Sequence, residues 1–403
     1  MDTDSPESAG MSSQRLDRIA PIMEGFVQDN RLPGIMTLIQ RRGKIVHFGR
    51  FGLMDIEAGV PMQEDGIFRV YSMTKPIVSV AAMMLLEEGR FSLNDPVSKF
   101  VPAFAKTKVY AGTGTLGPKL VDQQPVMTLK HLMTHTAGLS YGWFFDSPVE
   151  ELYRQAISQP IPRSQPLQDL IECIAELPLL SQPGTQWRYS VATDVVGYIV
   201  QIISDMPLAD FLNERIFEPL GMIDTAFQVP FEKLGRLAQI YASQALYDPY
   251  PVPPEHVFGI GDVTTPTDCP SGGGGLTSTL SDYLKFCNCL LNNGAYDGTR
   301  LISRKTLAWM TANHIPETML PLAIGLQELD YGFGLGFRVT TDLGRARRLT
   351  SVGEYGWAGA ANTYFWIDPS EDFIGLMMTQ HLPIEEYPVV ERFRNLAYQA
   401  IVD

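Results

Sequence analysis

Val70-Tyr71-Ser72-Met73-Thr74-Lys75 runs straight into Pro76-Ile77-Val78-Ser79-Val80-Ala81-Ala82-Met83-Met84-Leu85-Leu86-Glu87-Glu88 and stops at Gly89. Length and composition predict a buried helix that starts near Ser72 and ends at Gly89. Pro76 is tolerated because it falls in the first turn, where backbone donors lack partners in any case. Ser72 and Lys75, three apart, share one face of that helix. A serine hydroxyl is a poor nucleophile until a neighbour takes its proton. A lysine can serve only when burial or a nearby cation makes its charged form costly. The helix mouth also offers free N–H groups and partial positive charge for a developing oxyanion. On these residues alone the signal is weak, and a helix cap followed by a surface lysine is the favoured reading.

Outward from this helix the chain changes character twice. A helix is predicted for Ser13 to Gln28. Ile35-Met36-Thr37-Leu38-Ile39 and Ile45-Val46-His47-Phe48-Gly49 flank Arg42-Gly43-Lys44 and read as a hairpin. The middle is richer in helix signals, with Thr128 to Thr136 and Ser190 to Ser204 the clearest. Tyr241 to Pro270 is proline-rich and reads as mostly irregular. After Ser271-Gly272-Gly273-Gly274-Gly275 comes a helix from about Ser281 to Leu291. Strands are expected over Tyr331 to Thr340, Gly359 to Ile367 and Phe373 to Thr379, and a last helix over Tyr387 to Ile401. Strands at both ends with helices between predict an α+β fold. Its central antiparallel sheet, assembled from 1–95 and 270–403, is expected to be flanked by helices, with 96–269 as a mainly helical second domain and any active site at their interface.

The 403 residues carry a net charge of −14, which argues against nucleic-acid and anionic-membrane partners. Arg345, Arg347 and Arg348 read as a solvated hairpin tip. The acidic start lacks the features of a secretory signal, and Pro76 to Leu86 is too short to cross a bilayer, so a soluble cytoplasmic protein is expected. Cys173, Cys269, Cys287 and Cys289 do not make a disulfide framework, and buried thiols are expected at the last two.

Three further patterns compete for chemistry. Gly138-Leu139-Ser140-Tyr141-Gly142 fits a nucleophile elbow, but a helix rather than a strand is expected before Ser140. Gly112-Thr113-Gly114-Thr115-Leu116-Gly117 fits a nucleotide loop without the strand–helix crossover such a loop needs. His131 and His135 are four apart on an expected helix, yet Leu132 stands where a zinc protease has Glu, so structural histidines are expected and no metal.

Taken in order, Val70 to Lys75, Thr128-Leu129-Lys130-His131-Leu132-Met133-Thr134-His135-Thr136-Ala137-Gly138-Leu139, Pro183-Gly184-Thr185-Gln186-Trp187-Arg188-Tyr189-Ser190 and Ser271 to Leu276 resemble the serine β-lactamase and penicillin-binding-protein superfamily. The match is to class C β-lactamases and, more closely, to the family VIII carboxylesterases. The resemblance implies a β-lactamase/transpeptidase-like fold, Ser72 as nucleophile and Lys75 as the buried lysine. Tyr189 matches the tyrosine of the second motif, whose oxygen shares a proton with the nucleophile. Trp357-Ala358-Gly359 matches Lys-Thr-Gly, and the N–H groups of Ser72 and Ala360 match the oxyanion hole, where one donor is worth about 3 kcal/mol. Val191 stands where β-lactamases have Asn, and Trp357 where they have Lys. Both departures favour neutral esters over penicillins. Tyr141, Trp143 and Phe144 are expected to line the substrate pocket. The function implied is hydrolysis of a small-molecule ester through a Ser72 acyl-enzyme, with no cofactor. The alternatives are a β-lactamase or D,D-peptidase-type amide hydrolase, an acyltransferase, or a silent binding protein.

Overall fold

The computed structural model describes every residue except 116, 145–146, 158–163, 245–246 and 253–260. Eight strands form the main sheet: β1 (Gly34–Arg41), β2 (Lys44–Asp55), β3 (Val60–Pro61), β4 (Gly332–Phe333), β5 (Arg338–Val339), β6 (Tyr355–Ala358), β7 (Tyr364–Asp368) and β8 (Phe373–Met378). Their order is β4-β5-β6-β7-β8-β1-β2-β3, antiparallel throughout, so β1 from the N-terminal part pairs with β8 from the C-terminal part. Leu38 faces Leu376 across that junction.

Strand periodicity sorts the side chains onto two cores. Met36, Leu38, Phe365, Ile367, Ile374 and Leu376 pack into the large central core. Ile35, Ile39, Tyr364, Trp366, Phe373 and Met377 point the other way, onto the terminal helices, with Met23, Phe26, Phe393 and Ala397. A sheet covered on both faces leaves no solvent-facing side to β1, whose eight residues are all buried.

The Thr74–Glu87 helix is buried all round from Thr74 to Leu85, as expected of a helix apolar on every face. It packs against the Ala192–Ser204 helix, and the Leu280–Leu291 helix packs on β8. A short antiparallel pair, Ile67–Arg69 with Thr277–Thr279, lashes the segment before Ser72 to the segment after the glycine run. Among the described residues no single helix is long and apolar enough to cross a membrane.

Several expected elements change shape. The opening helix breaks into Ser13–Leu16 and Ile19–Gln28, which returns Pro21 to a first turn. A 3-10 turn, Tyr71–Met73, carries Ser72, and the α-helix begins only at Thr74. The expected strand at Gly359 to Ile367 starts at Tyr364, because 359–363 is a turn with Asn362 at φ 62°. The proline-rich stretch is not all irregular: Tyr241–Gln244 pairs with Tyr247–Pro251, while 253–260 lies outside the described residues. In the arginine cluster Arg345 and Arg347 are exposed as expected, and Arg348 alone departs. Arg348 is half-buried and pairs with Asp330 at 3.0 Å.

Candidate active site

Ser72 follows Tyr71, a non-glycine residue in the left-handed region at φ 42°. Lys75, one turn on, is 1 % exposed. An ammonium group has three donors and no acceptor. Here Nζ has three oxygens within reach: Ser72 Oγ at 3.1 Å, Tyr141 Oη at 2.8 Å and the Gly273 carbonyl at 2.6 Å. The face of the Tyr189 ring closes the fourth side, its centroid 4.6 Å from Nζ.

The phenol bonded to the lysine is therefore that of Tyr141, which the sequence placed only in the pocket wall. Among the described residues no hydrogen bond joins Tyr189 Oη to Ser72 or Lys75; that oxygen accepts from Trp357 Nε1 at 3.3 Å. Burial, then Tyr189 and then Asp194 hold the Tyr141 phenol protonated, well above its ordinary range.

The glycine run reaches the site because Val70 N–H bonds the Leu276 carbonyl at 3.1 Å and Leu276 N–H bonds Thr74 Oγ1 at 3.1 Å. From the other side β6 delivers Trp357 and Ala358. Gly359 then comes so close that a Cβ there would collide with Thr363 Oγ1 and the Val70 carbonyl oxygen. This close approach sets Ala360 beside the Ser72 turn. Both residues line one cavity, and neither N–H finds a partner among the described residues.

That cavity holds about 520 Å³, within the range of small-molecule sites. Near Ser72 its wall is aromatic. Tyr141 stacks on Trp143 at 5.0 Å and 8°, Phe144 meets both edge-on, and Tyr189 and Trp357 face them. Sequence reasoning missed four further lining residues: Ile324 and Leu329, on a short hairpin of Leu322–Ile324 with Gln327–Leu329, and Tyr331 and Ile384, in a bend and a turn. Val191 is a correction: it caps the Ala192–Ser204 helix, is buried in the core and does not line the cavity. Gly359 also stays outside the cavity wall, its role being that close packing.

The competing motifs resolve locally. Ser140 is buried, donates to Glu150 Oε1 at 2.7 Å and has a loop on either side, so no elbow forms. Val109–Gly114 and Gly117–Val121 make a hairpin where the nucleotide loop would be. His131 Nδ1 accepts the Thr128 N–H and caps the Leu129–Met133 helix. His135 lies beyond that helix at φ 53°, against Trp187, Tyr189 and Phe333. Burial and then Lys75 push its imidazole well below the usual range, so it is neutral. Cys287 and Cys289 are buried free thiols.

A sequence profile of the Beta-lactamase family matches residues 19–399. Protein Rv1367c of Mycobacterium tuberculosis is 35% identical over 362 residues, which is 87% of this chain and 86% of that protein. Esterase EstB of Burkholderia gladioli is 28% identical over 384 residues, 90% of this chain and 89% of the esterase. Among solved structures, EstCE1, described as a hydrolase with promiscuous acyltransferase activity, superposes with a TM-score of 0.79 at 25% identity, over 96% of this chain and 99% of that one. Matched from its first long helix to its last, the chain belongs to the beta-lactamase family and stands near the family VIII esterases within it.

Proposed function

We propose that this protein is a serine carboxylesterase that transfers the acyl group of a small-molecule ester to Ser72 and then to water. The observation that carries the reading is Lys75: a buried amine 3.1 Å from the Ser72 hydroxyl, with every other direction filled by an acceptor or a ring face. Neutral Lys75 takes the Ser72 proton as Oγ bonds the ester carbonyl carbon. The ammonium so formed has its three N–H groups met by Ser72, Tyr141 and Gly273. The N–H groups of Ser72 and Ala360 hold the oxyanion.

Trp357 Nε1 can only donate, so Tyr189 Oη accepts from it and keeps its own O–H for the substrate. We assign that proton to the leaving alkoxide as the C–O bond breaks, which leaves Tyr189 as the phenoxide and Lys75 as the ammonium. Water then attacks the acyl-enzyme by the same steps in reverse. The cleft lies where the sheet-bearing part, 1–95 with 270–403, meets the mainly helical 96–269. Its aromatic wall and the indole at Trp357 favour a neutral acyl group near the nucleophile; the relatives' names, Esterase EstB among them, support ester chemistry.

The test is the pair Ser72→Ala and Ser140→Ala with p-nitrophenyl butyrate, together with fluorophosphonate labelling and peptide mapping. Ser72→Ala is expected to abolish turnover and labelling. Ser140→Ala is expected to keep both, and to lose about 1–3 kcal/mol of stability by stranding buried Glu150. Labelling at Ser140, or turnover surviving in Ser72→Ala, overturns the assignment.

A further inference from the structure

Asp194 sits in the first turn of the Ala192–Ser204 helix, buried in a run of otherwise mostly apolar residues. Its Oδ1 accepts from Ser271 Oγ at 2.6 Å and from the Gly273 N–H at 3.0 Å. The carbonyl of that same Gly273 accepts from Lys75 Nζ at 2.6 Å. A buried carboxylate and a buried amine are thus joined through the two peptide groups that flank one Cα, with no direct ion pair between them. Nothing larger than hydrogen fits on that Cα: a Cβ would collide with Asp194 Oδ2 and lie 3.0 Å from Tyr141 Oη. Gly273 is clamped between the acid, the phenol and the amine.

We infer that Asp194 is a positioning residue of the esterase: through Gly273 it fixes one acceptor of Lys75 and offsets the charge Lys75 gains on taking the Ser72 proton. This rests on the esterase reading above. The titratable groups that face the pair are Tyr141, Tyr189 and His135. His135 is neutral and Tyr141 is held as the phenol, so the negative charge on this side is that of Asp194. Opposite charges on either side of one residue attract each other more in a water-poor interior than in water, and a fixed carboxylate makes the amine a stronger base at no cost of reorganisation.

Asp194→Asn keeps the shape, still accepts from the Gly273 N–H and removes the charge. In the full chain with p-nitrophenyl butyrate, kcat is expected to fall about 10- to 100-fold with KM within about twofold, since Asp194 touches no substrate. Fluorophosphonate labelling of Ser72 slows by the same factor. The acid limb of kcat/KM moves to lower pH, because protonation of the base is no longer favoured by a neighbouring anion. Ser271→Ala, which removes one bond and no charge, is expected to lose less than about tenfold and to keep the pH profile. A folded Asp194→Asn with unaltered kcat and pH profile overturns the inference, as does a raised KM at constant kcat. Should the Asn variant fail to fold, Asp194→Glu decides: restored acid limb with a reduced rate supports the role, and a full rate overturns it. Absence of ester turnover and of Ser72 labelling in the unaltered protein instead overturns the esterase reading itself.

Discussion

At the scale of single residues, the site is governed by what an amine finds once it is buried. Once it has taken the Ser72 proton, Lys75 has three donors, and the fold supplies three oxygens. Removing one of them tests the arrangement. Tyr141→Phe deletes the acceptor at 2.8 Å and keeps the ring stacked on Trp143, so kcat is expected to fall about tenfold, or about 1.4 kcal/mol, with KM little altered. Steady-state kinetics on a butyrate ester measures it, and an unaltered kcat would show that the Tyr141 hydroxyl takes no part. Ser72 and Lys75 were legible in the sequence because three-residue spacing on a helix is local. The partnership of Tyr141 was not. The loop that carries it is bent by Gly138 and Gly142, both at positive φ, and each lies against backbone far along the chain: Gly138 on the Ser181 carbonyl and Gly142 on Arg154. Contacts of that kind have no signature in a window of sequence. Asp194 had one, a carboxylate inside an apolar helical run, and it went unread.

At the scale of elements, β6 and the turn after it decide whether the oxyanion donors converge. The sequence located the Trp357-Ala358-Gly359 match but drew a strand through the turn, since Gly359 to Ile367 is mostly apolar and free of proline. What breaks the strand is Asn362, whose amide donates to the carbonyls of His381 and Pro383 from a chain segment twenty residues later. Gly359→Ala adds a methyl group where Val70 and Thr363 leave no room. The end of β6 must retreat, and the Ala360 N–H retreats with it. An activity loss of about 100-fold is expected, with thermal stability lowered by about 1–3 kcal/mol for the overpacking. Kinetics and thermal unfolding of the same sample separate the two effects. Loss of stability alone, with kcat intact, would free Ala360 from the oxyanion role.

At the scale of the molecule, the doubly covered sheet was legible from its apolar strands at both ends of the chain, whereas the charges it buries were not. Glu354, fully buried, binds Arg338 and Arg394 and accepts from Tyr398. Although burial alone would raise its pKa, the two guanidinium groups win and bring it from 4.5 to about 2. His381, also fully buried, is pushed by burial from 6.5 to about 4, and His47 shifts the same way. Both kinds of group have a folded-state value below the unfolded one, so their stabilisation is present above the unfolded value and is lost as pH falls toward the folded one. For His381 the window is pH 6.5 to 4; for Glu354 it is 4.5 to 2. Each is worth roughly 3 kcal/mol at full effect. Asp368, held by Tyr398 and raised by burial, works in the opposite direction in the lower window and softens the second loss. Thermal unfolding is therefore expected to weaken in two stages on acidification, the first already under way at pH 6. His381→Gln removes one of the titrating groups of the first stage; its Tm is expected to start lower and to change less between pH 7 and 5 than that of the unaltered protein. Parallel curves for the two proteins over that range would mean that His381 takes no part in the first stage.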